Sequence, residues 1–253
     1  MKSFMIGHII RRLQEAKRRD TLAYKLAVKA VPRPVRQRLF AHYFNKGINR
    51  GADVRTIFES IHDNNLWHSG ESKSGFGSEL DRTRSLRLLL EQWLSKHQGD
   101  IASLLDAPCG DFNWMKEVQF PKNVRYIGGD IVRSLTNDNN RAYGSEHRSF
   151  INLDIITDPI PHADAWLCRD VLFHFPFKEG RKVVEQFYGS QCKYFMSTTY
   201  SDSMNDRDIE FGWFRPINLS KAPYNLGEPV ELWRDAPENE PNRYLGIWRH
   251  PRM

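Results

Sequence analysis

The chain has 253 residues (29.7 kDa), 40% of them apolar and 27% charged. That suits one large α/β domain with an appendage and excludes a disordered tail protein. No apolar run approaches the roughly 18 to 20 residues that span a bilayer, so no transmembrane helix is expected. The opening MKSFMIGHIIRR lacks a small-residue cleavage site and makes a poor secretory signal. Cys109, Cys168 and Cys192 are too few and too scattered for a disulfide framework or a zinc site. A reducing cytoplasm is the expected compartment, and no ligand spacing demands a metal.

The net charge of +6 is unevenly placed. Residues 1–50 hold 13 Lys/Arg against two acids, Glu15 and Asp20, while the other residues hold 24 against 29. All the basicity therefore sits in an N-terminal arm, as expected where a chain meets an anionic partner or a membrane surface. Phe4, Ile6, Ile9, Ile10 and Leu13 fall roughly on one helical face, with Arg11, Arg12, Lys17, Arg18 and Arg19 around them. Pro32 and Pro34 stop a second helical stretch containing Leu22, Leu26 and Val28. This basic helical arm either lies on anionic lipid or packs on the body of the protein with its charges solvated.

Residues 51–78 read as a polar connector whose end, 67–78, holds three glycines and four serines, a composition of turns and mobile loop. Helical periodicity returns at Leu80 and runs from Leu86 to Leu94. The pattern then becomes short apolar runs at 101–106, 124–130, 149–154, 165–169 and 194–199, with amphipathic segments such as 177–188 between them. Strands alternating with helices point to a doubly wound α/β sheet with ligand sites at the carboxyl ends of the strands. Residues 231–234 and 244–248 suit a closing hairpin.

The chemistry lies in what ends each strand. The first run leads into Leu104-Leu-Asp-Ala-Pro-Cys-Gly-Asp-Phe-Asn-Trp114, a tight turn at Gly110 followed by a plausible helix start. Its glycine admits close approach of a ligand to the backbone, and its amides can bind a polar group. Asp130 closes the second run, 20 residues after Gly110, where a carboxylate accepts hydrogen bonds from two ribose hydroxyls. Asp154 closes the third and could accept an adenine amine; either aspartate could instead cap a following helix. The fourth run ends Cys168-Arg-Asp-Val-Leu-Phe-His174, placing Arg169 and Asp170 at a cleft and His174 about a turn on. One glycine in the turn argues against a dinucleotide, and no Walker lysine is present, so the ligand reads as an adenosine without a pyrophosphate.

With these motifs the sequence resembles the class I S-adenosylmethionine-dependent methyltransferases over roughly residues 80–250. It is most similar to a bacterial-type branch carrying ESxSGxGS, LLDAPCGDFNWM, YIGxDIV, CRDxLxH and RPxNL, here at 71–78, 104–115, 126–132, 168–174 and 215–219. The resemblance implies a mostly parallel seven-stranded Rossmann-like sheet with an antiparallel last strand, spanning 79–253, and S-adenosyl-L-methionine as cofactor. It further implies that Asp106, Ala107, Pro108, Gly110, Asp111 and Trp114 hold the methionine moiety. Asp130 and Ile131 would bind the ribose, Asp154 and Ile155 the adenine, and Arg169 would stand at the cleft.

Methyl transfer is an in-line displacement dominated by alignment, and a hydroxyl acceptor also needs a general base. His174 and Asp170 are the candidates, with Arg169 orienting an anionic group; His174 packed in a helix, or Asp170 simply paired with Arg169, are the structural alternatives. Residues 71–78 are expected as a lid or a flexible linker. Trp213, Arg215 and Asn218 in the long segment after the fifth strand suit a sugar or other polyhydroxyl acceptor. The expected activity is O-methylation of a saccharide or lipid-linked glycan. RNA or protein methylation, or a non-catalytic cofactor-binding scaffold, are the alternatives; nucleic acid is disfavoured by the few aromatics in the arm and the acidic body.

Overall fold

The computed structural model describes residues 52–67, 69–235 and 242–252. The chain divides into two units, Met1–Asp53 and Val54–Met253. The basic helical arm expected over residues 1–50 lies outside the described residues. Among the described residues no helix is long and apolar enough to cross a membrane.

The second unit is built on seven strands: β1 (Ser103–Asp106), β2 (Arg125–Asp130), β3 (Arg148–Asn152), β4 (Ala165–Cys168), β5 (Tyr194–Tyr200), β6 (Glu231–Arg234) and β7 (Arg243–Arg249). Their order is β3-β2-β1-β4-β5-β7-β6. β1 to β5 are parallel, and β7 runs antiparallel to both β5 and β6. Every strand lies within two residues of its expected bounds. The central strands β1 and β4 are buried at all four positions, as required of parallel strands covered on both faces.

Alternation along the strands separates two cores. Helix α2 (Leu80–Lys96) buries Leu86, Leu90, Trp93 and Leu94, a helical-period stripe, against a cluster including Leu104, Tyr126, Leu167 and Met196. On the other face, Phe195 of β5 meets both Trp166 of β4 and Phe187 of α4 (Phe177–Gly189), with ring centroids 5.2 and 5.1 Å apart. Helix α3 (Arg133–Tyr143) crosses between β2 and β3.

Two local expectations are corrected. The segment read as a polar connector contains a helix, α1 (Val54–Asp63), because Ile57, Phe58 and Ile61 fall on one side and are buried. The helix expected directly after Gly110 does not form. Phe112 adopts φ 58°, outside helical space, and only a short 3₁₀ turn (Met115–Glu117) follows. Residues 201–230 contain turns but no helix or strand.

The sheet order reverses at β1, whose neighbours β2 and β4 lead away in opposite directions. Crossovers leaving on opposite faces open a crevice beyond the carboxyl ends of these strands.

Candidate active site

The turn after β1 is pinned from both sides. The Ala107 N–H donates to Leu167 O (2.9 Å) and the Trp166 indole N–H to Ala107 O (3.0 Å), tying it to β4. The Cys109 N–H donates to Gly129 O (2.8 Å), tying it to β2. Gly110 has φ +55° and donates its N–H to Asp130 Oδ2 (3.1 Å); a Cβ there would lie 2.1 Å from Ser74 Oγ. Only glycine satisfies both the left-handed backbone and that close approach.

Asp130 is 7% exposed, and its Oδ1 accepts the Val132 N–H (3.0 Å). Burial raises its pKa against the pull of these amide donors. Asp106 is more strongly affected. It accepts the Tyr126 hydroxyl (2.8 Å), and burial lifts its carboxyl to about 7 despite that bond and the nearby Arg169. Because the folded value exceeds the ordinary 3.8, this group's contribution to stability is full at acid pH and is lost as pH rises towards 7. Asp106→Asn removes that titration. The melting-temperature difference, variant minus wild type, is expected to grow between pH 4 and 7 and then level off; a difference independent of pH would contradict this.

The crevice is a cleft of about 930 Å³ including its mouth. Asp106, Pro108, Gly110, Trp114, Asp130, Ile131, Asp154, Ile155, Arg169 and Asp170 all line it, so most of the residues singled out in the sequence converge. Asp154 Oδ1 accepts the Ile156 N–H (2.9 Å) and its Oδ2 the Thr157 hydroxyl (3.0 Å), so it shapes its own turn while standing in the wall.

Six of the expected residues do not line it. Ala107 is fully buried in the strand connection. Asp111 faces the 71–78 loop instead: its carboxylate accepts from Ser72 Oγ (2.9 Å), Ser74 Oγ (3.1 Å) and the Lys73 N–H (2.8 Å). Glu71 Oε1 accepts from Asn113 Nδ2 (2.6 Å) and from the Leu80 N–H (2.9 Å) at the start of α2. The loop is thus a bolted wall, not a flexible linker. Asp111→Ala should destabilise the protein by about 1–3 kcal/mol. It should also accelerate amide exchange at Lys73 in hydrogen–deuterium measurements, and unchanged exchange would contradict the bolt.

His174 lies in the 3₁₀ turn Leu172–His174 and donates Nδ1–H to Trp213 O (2.8 Å). Its ring stacks on Trp67 (5.4 Å, 22°), and burial lowers its pKa to about 4. It braces a wall residue and is not placed to accept a proton from a ligand. Trp213 contributes that carbonyl. Arg215 is buried, donates to Phe175 O (2.8 Å) and Tyr224 Oη (3.1 Å), and lies 3.9 Å over the Phe177 ring. Asn218 donates to Ser201 O (3.1 Å) and accepts from the Ser220 N–H (3.0 Å). These three bond within and beside the 201–226 segment and do not line the cleft.

Asp170 does stand in the cleft, but as part of a buried four-charge cluster. Arg169 forms a two-pronged pair with Asp235 (2.9 and 3.0 Å) and sits 3.3 Å from Asp170. Arg243 reaches Asp170 (2.8 Å) and Asp235 (3.2 Å). Burial alone would raise the Asp170 carboxyl; Arg169, Arg243 and the Thr198 hydroxyl (2.8 Å) outweigh it and hold the group at about 2. A carboxylate so stabilised is a poor proton acceptor, and its pairing with Arg169 is the structural alternative that the sequence offered.

The sequence reading missed the contribution of α1, whose Val54, Phe58 and His62 line the cleft, and of Trp67; Lys73, Ser74 and Ser78, which also line it, belong to the 71–78 segment expected as a lid or linker. The spacing of Val54, Phe58 and His62, four residues apart, was a readable signal of one helix face. Asp235 and Arg243 were also missed; they come together only through the β6–β7 pairing. Among the described residues no group of three His, Cys, Asp or Glu could hold a metal ion.

This sheet, with its crevice beside β1 and β4, has the Rossmann-like fold of the S-adenosylmethionine-dependent methyltransferases. Among solved structures it is similar to magnesium protoporphyrin IX methyltransferase from Synechocystis PCC 6803 with bound SAM (TM-score 0.55, 14% identity, 79% of this chain and 99% of that one). It is also similar to human N-acetylserotonin methyltransferase in complex with SAM (0.53, 12%, 89% and 70%). A third is 1,6-didemethyltoxoflavin-N1-methyltransferase from Burkholderia thailandensis, with 1,6-didemethyltoxoflavin and S-adenosylhomocysteine (0.52, 15%, 78% and 87%). No protein-family model matches the chain, and no curated protein is significantly similar to it.

Proposed function

We propose that this chain is an S-adenosylmethionine-dependent methyltransferase acting on a small molecule. The observation that carries the reading is Asp130: a buried carboxylate at the end of β2, directly opposite the glycine turn of β1, in the wall of the cleft. The donor set fits the cofactor. Asp130 would take the ribose, and Ile131, Leu135 and Ile155 offer an apolar slot for the adenine. The Pro108–Gly110 turn leaves room for the methionine moiety. When bound, the cofactor supplies a methyl group on a sulfonium, ready for in-line displacement.

Four of the five motifs that carry the resemblance to the bacterial-type branch support the same reading, because they meet physically. Ser72 and Ser74 of the first bond to Asp111 of the second. Gly77 packs on Asp170 of the fourth, where a Cβ would lie 2.3 Å from Oδ2. Arg215 of the fifth bonds to Phe175, just after the fourth.

Toward the end of β4 the cleft is walled by Phe58, Trp67, Trp114, Val171 and Phe175. This favours a flat, largely apolar acceptor, in line with the ring-containing substrates named for the similar structures. A saccharide is less well supported, since Trp213, Arg215 and Asn218 serve the fold. His174 bonds to the Trp213 carbonyl and Asp170 is held ionised by two guanidiniums, which favours alignment and exclusion of water as what this chain's residues supply. Calorimetric titration of S-adenosylmethionine and of NAD into the full chain tests the reading. Saturable one-to-one binding of the former alone is expected; binding of NAD alone, or of neither, would overturn it.

A further inference from the structure

Building on that cofactor reading, we infer that His62 is a second ribose-binding residue, accepting a hydrogen bond through Nε2 from one of the two hydroxyls that Asp130 faces. Helix α1 is held over the cleft at two levels. Ile57, Phe58 and Ile61 are buried, and the Arg55 guanidinium donates to Ile131 O (2.5 Å) and Asn152 Oδ1 (2.9 Å), at the carboxyl ends of β2 and β3. This latch places the face carrying Val54, Phe58 and His62 in the cleft wall, opposite the residues that follow β2.

The His62 ring has one satisfied nitrogen and one that is not. Nδ1 lies 3.2 Å from Asp63 Oδ1, and a carboxylate can only accept, so the proton sits on Nδ1. In the neutral ring Nε2 is then a bare acceptor. It is buried and has no hydrogen-bond partner. A buried acceptor left unpaired is destabilising, and native sites keep few of them without a use.

The missing partner must be a donor, and it must reach the cleft beside Asp130. His62 stands with Asp130 among the residues that line the cleft. Each Asp130 oxygen already accepts one backbone N–H, from Gly110 or Val132, leaving each a second lone pair. The cleft wall thus carries a carboxylate and an imidazole nitrogen that can each take a further donor. Two neighbouring acceptors match two neighbouring donors, which is what a vicinal diol provides. An adenine amine would be met by Asp154, on the far side of β2.

The test is calorimetric titration of S-adenosylhomocysteine, and of its 2′-deoxy and 3′-deoxy analogues, into wild type, His62→Leu and His62→Gln. His62→Leu should weaken binding of the parent compound about tenfold. His62→Gln, which keeps a side-chain acceptor, should recover part of the loss. The leucine penalty should disappear with the analogue that lacks the bonded hydroxyl. Equal affinity of wild type and His62→Leu for the parent would overturn the inference. So would a leucine penalty undiminished with both analogues, since His62 would then act only through the packing of α1. Failure of the wild type to bind S-adenosylhomocysteine would instead remove the cofactor reading itself.

Discussion

Asp235→Ala is expected to lower the stability of the protein by about 3–5 kcal/mol, the usual consequence of removing one partner from a buried ion pair. The Asp235 side chain is 1% exposed and accepts from both Arg169 and Arg243. The cluster is balanced, two guanidiniums against Asp170 and Asp235. Deleting one carboxylate leaves two buried cations sharing a single anion. For a chain of this length the loss corresponds to a fall in Tm of roughly 6–20 °C. Asp235→Asn keeps hydrogen-bonding capacity but not the charge, so it should fall between wild type and alanine in a thermal melt. An unchanged Tm for Asp235→Ala would contradict the role given to the cluster. The cleft should feel the change too, because Arg169 lines it and lies 5.4 Å over the Trp114 ring.

Asp130→Ala should have the larger effect on binding. The substitution removes the carboxylate that faces the cleft and frees the amides of Gly110 and Val132 that it now fixes. Affinity for S-adenosylhomocysteine is expected to drop at least tenfold, about 1.4 kcal/mol, and more if the glycine turn relaxes. Asp130→Asn retains an acceptor oxygen and should lose less. Calorimetry on the three proteins, with Tm measured alongside, separates lost contacts from a loosened turn. Equal affinities for wild type and Asp130→Ala would place the ligand elsewhere.

How much of this was legible beforehand depends on the range of the interactions. Strand ends were readable because β1, β2 and β4 are short apolar runs terminated by Asp106, Asp130 and Arg169, and each terminator stands at the cleft. The doubly wound topology follows from that alternation. For Asp170 and His174 the sequence left a catalytic and a structural role both open, and their partners were not readable because they are distant in sequence: Arg243, 73 residues on, and the Trp213 carbonyl, 39 residues on. Asp111 stood within the right motif but turned to the serines of the 71–78 loop, a pairing no local pattern encodes. Helix α1 was obscured for another reason. Its apolar positions are few, and the polar residues after it dominated the composition of the segment. Trp213, Arg215 and Asn218 have the residue types of a sugar site, yet they satisfy one another's surroundings across a long segment without regular structure.

The cleft beyond β1 and β2, walled in part by α1, is proposed to hold an adenosine-based methyl donor. A crystal structure of the full chain with S-adenosylhomocysteine tests it most directly. The ribose is expected on Asp130 and His62, the adenine between Ile131 and Ile155, and the sulfur turned toward the end of β4. Ligand density at any other surface, or none in a crystal grown at saturating concentration, would contradict it.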